Sequence, residues 1–530
     1  MRSSAIRAFV QETINAPTPN PGLASPLYAI THFDSSQSDS TPYGPPRKIF
    51  PKINAAAQPI VVGGPINIIT AASTSPDYMW QVGTDRVTYV KKANGVWTSA
   101  TPPFQALAKA SPPNVLPPIP DKNFITFGES SAVGMSIDKM RAELANLFGK
   151  DYQLRMASGM YVLADKDNVL YAAYGHPTFG FTLYGLKATP GKEIAVAYQL
   201  NDVVHEIQGT APSDTRLCGL SLTYDHYIIL TFSNGVGVIE PTLNPATKCF
   251  YKFGENESVS NSIAVDENNG IYVATNSIMR KLVWKTDHTL SDKSEDGAWS
   301  SPYQNSNVRP PVVKFDNGTG STPTLMGFGS DPDKLVVITD GAERMNLVAF
   351  WRDEVPQGAE RIAGQIPVTC GLTPLPKWIQ SEQSVVVHGY GAFVVNNIPE
   401  TYIDGLSDAN KLVQVMLMGP ASPAPHGAER FEWDPYKHQW SSVWARSDVS
   451  STTMVPAHTE TGNMALINGW TSEKGWEVLG LDWDTGATVH ETTFGTANFG
   501  NGAYAILQYL ENQDLLFNSV AGVFRLHYVP

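Results

Sequence analysis

The sequence of 530 residues predicts an all-β fold, a β-propeller with eight blades, with seven as the alternative. Three observations lead to this prediction. Many short segments alternate between apolar and polar residues with a period of two, as antiparallel strands do. Turn-forming residues are frequent, with 43 Gly and 39 Pro. Segments of this kind recur at intervals of mostly about 40 to 70 residues, the range typical of propeller blades.

Residues 258 to 284 show the repeating pattern most clearly. "NSIAVD" alternates, "ENNG" forms a turn, "IYVATN" alternates again, and "MRKLVW" follows after a second turn. In this reading Asn261 enters the innermost strand of the fourth blade. Seven further segments with the same pattern begin at Ile66, Ser158, Cys218, Thr322, Ser384, Thr452 and Gly502.

The last repeat ends after its third strand, which would leave an unpaired strand edge. We therefore expect the N-terminal region to supply the missing outer strand, from Pro26–Phe33 ("PLYAITHF") or from Arg47–Lys52 ("RKIFPK"). The predicted organisation is an N-terminal extension with the closing strand (1–65) and a propeller (66–530). A Pro-rich and helical insertion (100–150) interrupts the propeller.

The insertion contains a predicted helix and a possible catalytic motif. Apolar residues from Ile137 to Phe148 fall at helical spacing, and Gly149 is a natural C-cap. The preceding "FITFGESSAVG" partly matches a nucleophile elbow, in which Ser130 would be the nucleophile. Because Ala132 replaces the second glycine of that motif, we favour a strand–turn–helix in which the serine caps the helix.

The composition argues against several classes of partner. The net charge is −13, and no cluster of Lys and Arg offers a surface for nucleic acid or an anionic membrane. No segment approaches the roughly 18 apolar residues of a membrane span, and no signal-peptide core is visible. Three cysteines without metal-type spacing fit a reducing compartment. We expect a soluble cytoplasmic protein with a small-molecule substrate; its oligomeric state stays open.

Two stretches resemble known propeller families. "GWEVLGLDWDTGATVHETTF" (475–494) resembles the repeat of quinoprotein dehydrogenases and supports a blade. "SNSIAVDENNGIYVA" (260–274) is similar to blades of the gluconolactonase, paraoxonase and strictosidine-synthase-like propellers. The second resemblance implies a divalent cation, held in the central channel by Asn, Asp and Glu near the starts of inner strands. It also implies hydrolysis of a lactone or ester.

Propeller geometry selects the candidate ligands, because the loops that enter the inner strands and those that follow the second strands share one face. Oxygen ligands from several blades are what Ca²⁺, or another divalent cation such as Mg²⁺, requires. The predicted metal ligands are Glu257, Asn261, Glu382 and Asn501. The predicted catalytic residues are His176, as general base, with Glu257 and Glu382. Each of these residues could instead be an ordinary turn former.

The histidines allow an alternative, since carotenoid-cleaving oxygenases hold iron on four histidines in a propeller channel. The candidates here are His32, His226, His388 and His458. Three functions therefore remain open. They are metal-assisted hydrolysis, metal-independent acid–base chemistry of the strictosidine-synthase type by Glu257 or Glu382 (a lyase, isomerase or condensing reaction), and protein binding without catalysis.

Overall fold

The structure, a computed structural model, describes residues 15–50, 59–66, 69–93, 96–111, 115–177, 180–311, 314 and 316–528. The described residues form eight sheets of four or five strands, in which consecutive strands pair. Each sheet is one blade, so the predicted eight-bladed propeller is confirmed. None of the described helices is long and apolar enough to cross a membrane.

The strands follow the chain blade by blade. Two short strands precede the blades, β1 (Ser40–Thr41) and β2 (Val61–Val62). Blade one contains β3 (Ile69–Ala72), β4 (Tyr78–Val82), β5 (Val87–Ala93) and β6 (Val96–Ser99), and blade two contains β7 (Val162–Ala164), β8 (Val169–Gly175), β9 (Phe181–Lys187) and β10 (Ala195–Leu200). Blade three contains β11 (Leu217–Leu222), β12 (Ile228–Phe232), β13 (Gly235–Ile239) and β14 (Cys249–Lys252). Blade four contains β15 (Ala264–Val265), β16 (Gly270–Ala274), β17 (Ile278–Trp284), β18 (Leu290–Ser291) and β19 (Trp299–Pro302).

Blade five contains β20 (Thr324–Met326), β21 (Leu335–Thr339), β22 (Asn346–Trp351) and β23 (Ile362–Pro367), and blade six contains β24 (Val386–His388), β25 (Gly391–Val395), β26 (His426–Asp434) and β27 (Gln439–Ser450). Blade seven contains β28 (Ala457–Thr459), β29 (Met464–Thr471), β30 (Gly475–Asp482) and β31 (Thr488–Gly495). Blade eight contains β32 (Gln508–Tyr509), β33 (Leu515–Ser519) and β34 (Gly522–Leu526). The first strand of each blade is the innermost one. The stretch 475–494 thus spans the two outer strands of blade seven.

An N-terminal strand completes blade eight, as predicted, but it is not either of the predicted segments. β2 pairs antiparallel with β34, and the Ile60 N–H donates to the Val523 carbonyl at 2.7 Å. Of the predicted segments, Pro26–Phe33 lies in the central channel. Arg47–Lys52 reaches blade seven, where Ile49 bridges to Glu491, and its last two residues lie outside the described part. The true closing strand has only two residues, too few for alternation to mark it.

Residues 20–41, here called the plug, pass through the central channel and contact the inner strands of all eight blades. Asn20 Nδ2 donates to the Leu222 carbonyl in blade three (3.0 Å), and the Tyr28 hydroxyl donates to the Tyr509 carbonyl in blade eight (2.8 Å). Main-chain N–H groups of the other six blades donate to plug carbonyls: Ala72 to Tyr28 (2.8 Å), Ala164 to Ala29 (2.7 Å), Val265 to Ser35 (2.8 Å), Leu325 to Ser36 (3.0 Å), Val387 to Ser38 (3.0 Å) and His458 to Asp39 (2.9 Å).

Several side chains of the plug also bond to one another, so that the segment is compact. His32 Nδ1 contacts the buried carboxylate of Asp39 at 2.9 Å. Tyr28, His32 and Phe33 have φ near 65° to 77°, the left-handed conformation that lets the chain turn sharply within the channel. Because its contacts fall mostly at the ends of the inner strands, the plug closes the face opposite to the loops that enter those strands.

Six described helices lie outside the sheets: α1 (Ala106–Ala110), α2 (Asp121–Glu129), α3 (Ile137–Phe148), α4 (Tyr152–Met156), α5 (Val203–Gln208) and α6 (Asp408–Val415). The predicted helix is confirmed as α3, with Gly149 as its C-cap. α2, α3 and α6 pack together over blades seven and eight, where Phe127, Met140 and Val413 share one apolar cluster with blade residues. We call these three helices the cap. α6 joins the second and third strands of blade six, so the cap lies on the face opposite the plug.

The nucleophile-elbow segment has a different structure from the strand and helix cap expected for it. Residues 121–129 form α2, and Ser130 follows the end of that helix. The Ser130 hydroxyl lies within hydrogen-bond distance of two acceptors, the Phe127 carbonyl (2.9 Å) and Glu143 (2.8 Å), while Ser136 caps α3. Ser130 is therefore a structural residue at a helix end. The alternation in "FITF" is too short to distinguish a strand from one turn of helix.

Candidate functional site

Between the plug and the cap, several residues that precede the inner strands bring their polar side chains together as one group. Tyr161, Asn261, Glu382 and Tyr504 define it, from blades two, four, six and eight, and each is partly exposed. We call this group the central recess. It corresponds to the face on which the sequence places ligands, because loops entering inner strands converge there.

Glu382 and Tyr504 are directly bonded across the recess. The Tyr504 hydroxyl donates to Glu382 Oε2 at 3.0 Å. Tyr504 has a φ of 59°, and its N–H donates to the Thr453 carbonyl at 3.1 Å, so a tight turn directs the ring toward the carboxyl group. The second carboxyl oxygen, Oε1, has no hydrogen-bond partner among the described residues. It is not fully buried, so it remains accessible. Glu382 thus presents one open oxygen to the recess.

Burial dominates the titration of Glu382. Removal from water disfavours the carboxylate and raises the pKa of Glu382 from its ordinary 4.5 to about 8. The hydrogen bond from Tyr504 and the positive charge of Lys314 act in the opposite direction but do not outweigh burial. At neutral pH the group therefore carries its proton. A protonated carboxylic acid in a partly open recess is a suitable proton donor.

Tyr161 and Asn261 form the opposite wall. The Tyr161 hydroxyl donates to Asn261 Oδ1 at 3.2 Å. Burial, with Cys218 and Glu382 as further causes, raises the pKa of Tyr161, so it stays neutral. The Tyr161 ring lies 6.5 Å from the His32 ring of the plug, which therefore borders the recess from below. Asn261 precedes β15, so its predicted place at the entrance to the fourth inner strand is confirmed.

Two lysines connect the recess to the cap. Lys314 donates to the Gly318 carbonyl and to Gln380 Oε1 (2.5 Å), and burial lowers the pKa of Lys314 to about 8. Lys411 on α6 donates to the carbonyls of Pro310 (2.9 Å) and Lys314 (3.2 Å). Each lysine lies close enough to Glu382 to act on its charge. The cap therefore places positive charge near the carboxyl group.

Glu257 is in a different environment from Glu382. Both of its oxygens face Arg280 of β17, with 2.6 Å between Arg280 Nη2 and Glu257 Oε1, and the Thr275 hydroxyl adds a bond of 2.8 Å. Burial alone would raise the pKa of Glu257, but the hydrogen bonds from Arg280 and Thr275 outweigh it and lower the pKa. Glu257 is thus an ion-paired carboxylate within blade four.

Asn501 and His176 are also bound locally. Asn501 is buried, and its side-chain oxygen accepts the Ala503 N–H at 2.9 Å, as in a turn. His176 follows β8, where its N–H donates to the Gly180 carbonyl at 2.7 Å. Burial lowers the pKa of His176, and Asp202 opposes that effect. Asp202 is the N-cap of α5, which places His176 beside the outer part of blade two.

The four histidines of the iron hypothesis occupy three separate environments. His388 and His458 stack, with ring centroids 4.0 Å apart, whereas His226 contacts Asp165 (3.0 Å) and His32 contacts Asp39. Within the described ranges, one group of His, Cys, Asp and Glu has metal-like proximity: Asp165, Asp167 and His226. Asp165 already accepts the Val169 N–H (2.9 Å) and the His226 ring nitrogen, as a turn residue does. The four histidines do not form an iron site.

Sequence reasoning missed Tyr161, Tyr504 and Lys314. The two tyrosines are recognisable only by their positions just before inner strands, and Lys314 lies in a loop without a pattern. Arg280 did carry a signal. A charged residue within an apolar strand needs an acidic partner, and that partner is Glu257.

No protein-family model matches the chain. An uncharacterized protein of Archaeoglobus fulgidus is 33% identical over 329 residues, which cover 59% of this chain and 61% of the relative, less than two thirds of its length.

Solved structures with some similarity include three propeller-type proteins. A putative 6-phosphogluconolactonase of Bacteroides fragilis is 8% identical at a TM-score of 0.40, covering 82% of this chain and 95% of that one. The periplasmic gluconolactonase PpgL of Pseudomonas aeruginosa is 12% identical at 0.34, covering 81% and 88%. The dihydro-heme d1 dehydrogenase NirN is 8% identical at 0.40, covering 93% and 84%. These values are too low to support a conclusion about function, and the fold rests on the eight sheets themselves.

Proposed function

We propose that this protein is an enzyme that carries out metal-independent acid–base chemistry on a small organic substrate in the central recess, with Glu382 as the proton donor. The observation that carries the proposal is the open Oε1 of a carboxyl group whose pKa burial raises to about 8. Catalytic acids are typically carboxyl groups whose pKa is raised by burial and which still reach a cleft open to the substrate.

The surrounding groups suit one proton transfer. Glu382 donates its proton from Oε1 to a carbonyl or leaving-group oxygen of the substrate, and a carboxylate remains. The Tyr504 hydroxyl already bonded to Oε2 stabilises that new charge, and Lys314 stabilises it electrostatically. A lyase, isomerase or condensing reaction would use such a step. Because the plug closes the opposite face, we expect substrate and product to use the cap side.

Metal-assisted hydrolysis of a lactone or ester, with Ca²⁺, has less support from the contacts. The four predicted ligands do not fit a cation as a set, because Arg280 already neutralises Glu257 and Asn501 is bound to its own turn. Asn261 and Glu382 are the two that border the recess. The general-base role of His176 stays a prediction, as does the alternative of a protein-binding propeller without catalysis.

Elemental analysis and a substrate panel of aryl esters, γ- and δ-lactones and enolisable ketones test the proposal. We expect purified protein without stoichiometric calcium, activity that falls above about pH 8 as Glu382 ionises, and a loss of at least 100-fold in kcat for Glu382→Gln. Glu257→Gln is the matched control and should keep its activity. Full activity of Glu382→Gln would overturn the proposal. Stoichiometric calcium lost in Asn261→Ala would favour the metal-assisted reaction instead.

A further inference from the structure

The end of the plug is held by a pair of stacked histidines. β1 pairs parallel with β28 of blade seven, with Ser40 opposite His458. The Ser40 hydroxyl lies 2.9 Å from His458 Nδ1 and 3.4 Å from His388 Nδ1. One hydroxyl therefore joins the plug to blades six and seven at once. We call Ser40, His388 and His458 the histidine latch.

The latch has no room for two positive charges. The imidazole rings are 4.0 Å apart with 23° between their planes, and Trp483 packs against His458 at 4.5 Å. His458 is fully buried, and His388 is partly exposed. Stacked rings at this distance repel strongly once both are protonated, because little water separates them.

Among the groups around the latch, Arg430 lowers the pKa of both histidines, whereas a hydrogen bond with Asn463 raises that of His458. Arg430 of β26 lies over the Trp483 ring at 4.9 Å and pairs with Glu432 on the same strand. On the plug, the Asp39 carboxylate is bound to His32. Three polar or acidic groups stand in the turns of blade seven: Asn463 beside His458, Asp484 bonded to Asn463, and Asp482 bonded to Arg47. None of these carboxylates is hydrogen-bonded to either latch ring within the described chain.

We propose that the histidine latch is an acid-sensitive release for the plug: neutral rings hold β1 on blade seven, and protonation frees the plug end while the blades stay folded. Burial and the nearby Arg430 lower the pKa of His388 to about 4, and burial, with the neighbouring His388, also lowers the pKa of His458 well below its ordinary value. We therefore expect the plug end to be released only at acid pH. It would open the channel face that the plug closes at neutral pH.

Hydrogen–deuterium exchange of the full-length protein between pH 7 and 4, corrected for intrinsic rates, tests the release. We expect exchange in residues 36–43 to rise at least tenfold below pH 5, before exchange rises in β29 and β30 of blade seven. His388→Gln keeps a hydrogen-bonding side chain but cannot take up a proton, so this variant should shift the rise to lower pH. The double variant with His458→Gln should abolish the rise.

His205→Gln is the matched control, since His205 is an exposed histidine on α5 outside the latch, and it should behave as wild type. An unchanged pH dependence in both latch variants would overturn the proposal. So would exchange that rises in the plug and the blade strands together. Hydrogen exchange in the plug does not depend on Glu382. A negative result would therefore leave the proposed enzymatic function untouched.

Discussion

Replacing Glu382 with glutamine should make the protein more stable at alkaline pH. The side chain keeps its shape and an oxygen that accepts from the Tyr504 hydroxyl, but it loses its ionisable group. In the wild type, the unfolded chain releases the Glu382 proton near the ordinary pKa of 4.5, whereas the folded protein keeps it until about 8. Between these values the folded state binds more protons, so stability falls as pH rises.

The magnitude follows from the two pKa values. The interval from 4.5 to about 8 corresponds to about 5 kcal/mol of unfolding free energy, fully expressed above pH 8 and absent below pH 4.5. We therefore expect Glu382→Gln and the wild type to be nearly equal at pH 5. The variant should gain up to about 5 kcal/mol over the wild type by pH 9.

Urea denaturation from pH 5 to pH 9, followed by tryptophan fluorescence, measures this difference. Glu257→Gln is the matched control of opposite sign, because the ion pair with Arg280 lowers the pKa of Glu257 and stabilises the fold at every pH in the range. The control should be less stable than wild type by about 3 kcal/mol, nearly independent of pH. A difference for Glu382→Gln that stays constant from pH 5 to 9 would refute the raised pKa, whatever reaction the protein catalyses.

Three further predictions concern the plug, the closing strand and the cap. Tyr28→Phe removes the hydroxyl that bonds blade eight and should cost about 1 to 3 kcal/mol in chemical denaturation, whereas the exposed Tyr436→Phe should change little. Ile60→Pro removes the N–H bonded to Val523, so hydrogen exchange in β33 and β34 should accelerate while that in β16 does not. Lys411→Met removes the donor to the Pro310 and Lys314 carbonyls, of which the second keeps a longer bond from Arg309 (3.4 Å), and should lower the denaturation midpoint; Lys411→Arg should restore part of it.

Local patterns were sufficient for the blades and for one helix. Alternation with a period of two reports which face of a strand is buried, so the eight repeats and the entry of Asn261 into the fourth inner strand were predictable. Helical spacing up to the C-cap Gly149 predicted α3 in the same way. Both patterns are formed by residues only a few positions apart in the chain, so they can be recognised from the sequence alone.

The plug gave no such signal. Residues 34–40, "DSSQSDS", have a composition typical of exposed loops, yet most of them are buried in the channel. Their main-chain carbonyls accept from main-chain N–H groups of different blades, such as those of Val265 and Val387, which lie hundreds of residues away along the chain. Only the closed ring of blades creates that environment.

The sequence by itself determined the propeller, favoured eight blades over seven, and indicated the face on which polar side chains gather. Tertiary structure alone decided which carboxyl group has a raised pKa there. Glu257 and Glu382 both precede inner strands. Arg280 of the same blade pairs with Glu257, whereas Glu382 is buried and accepts a hydrogen bond from Tyr504 of another blade. The physical reason is that a pKa depends on desolvation and on charges brought near by folding, neither of which is a property of neighbouring residues in the chain.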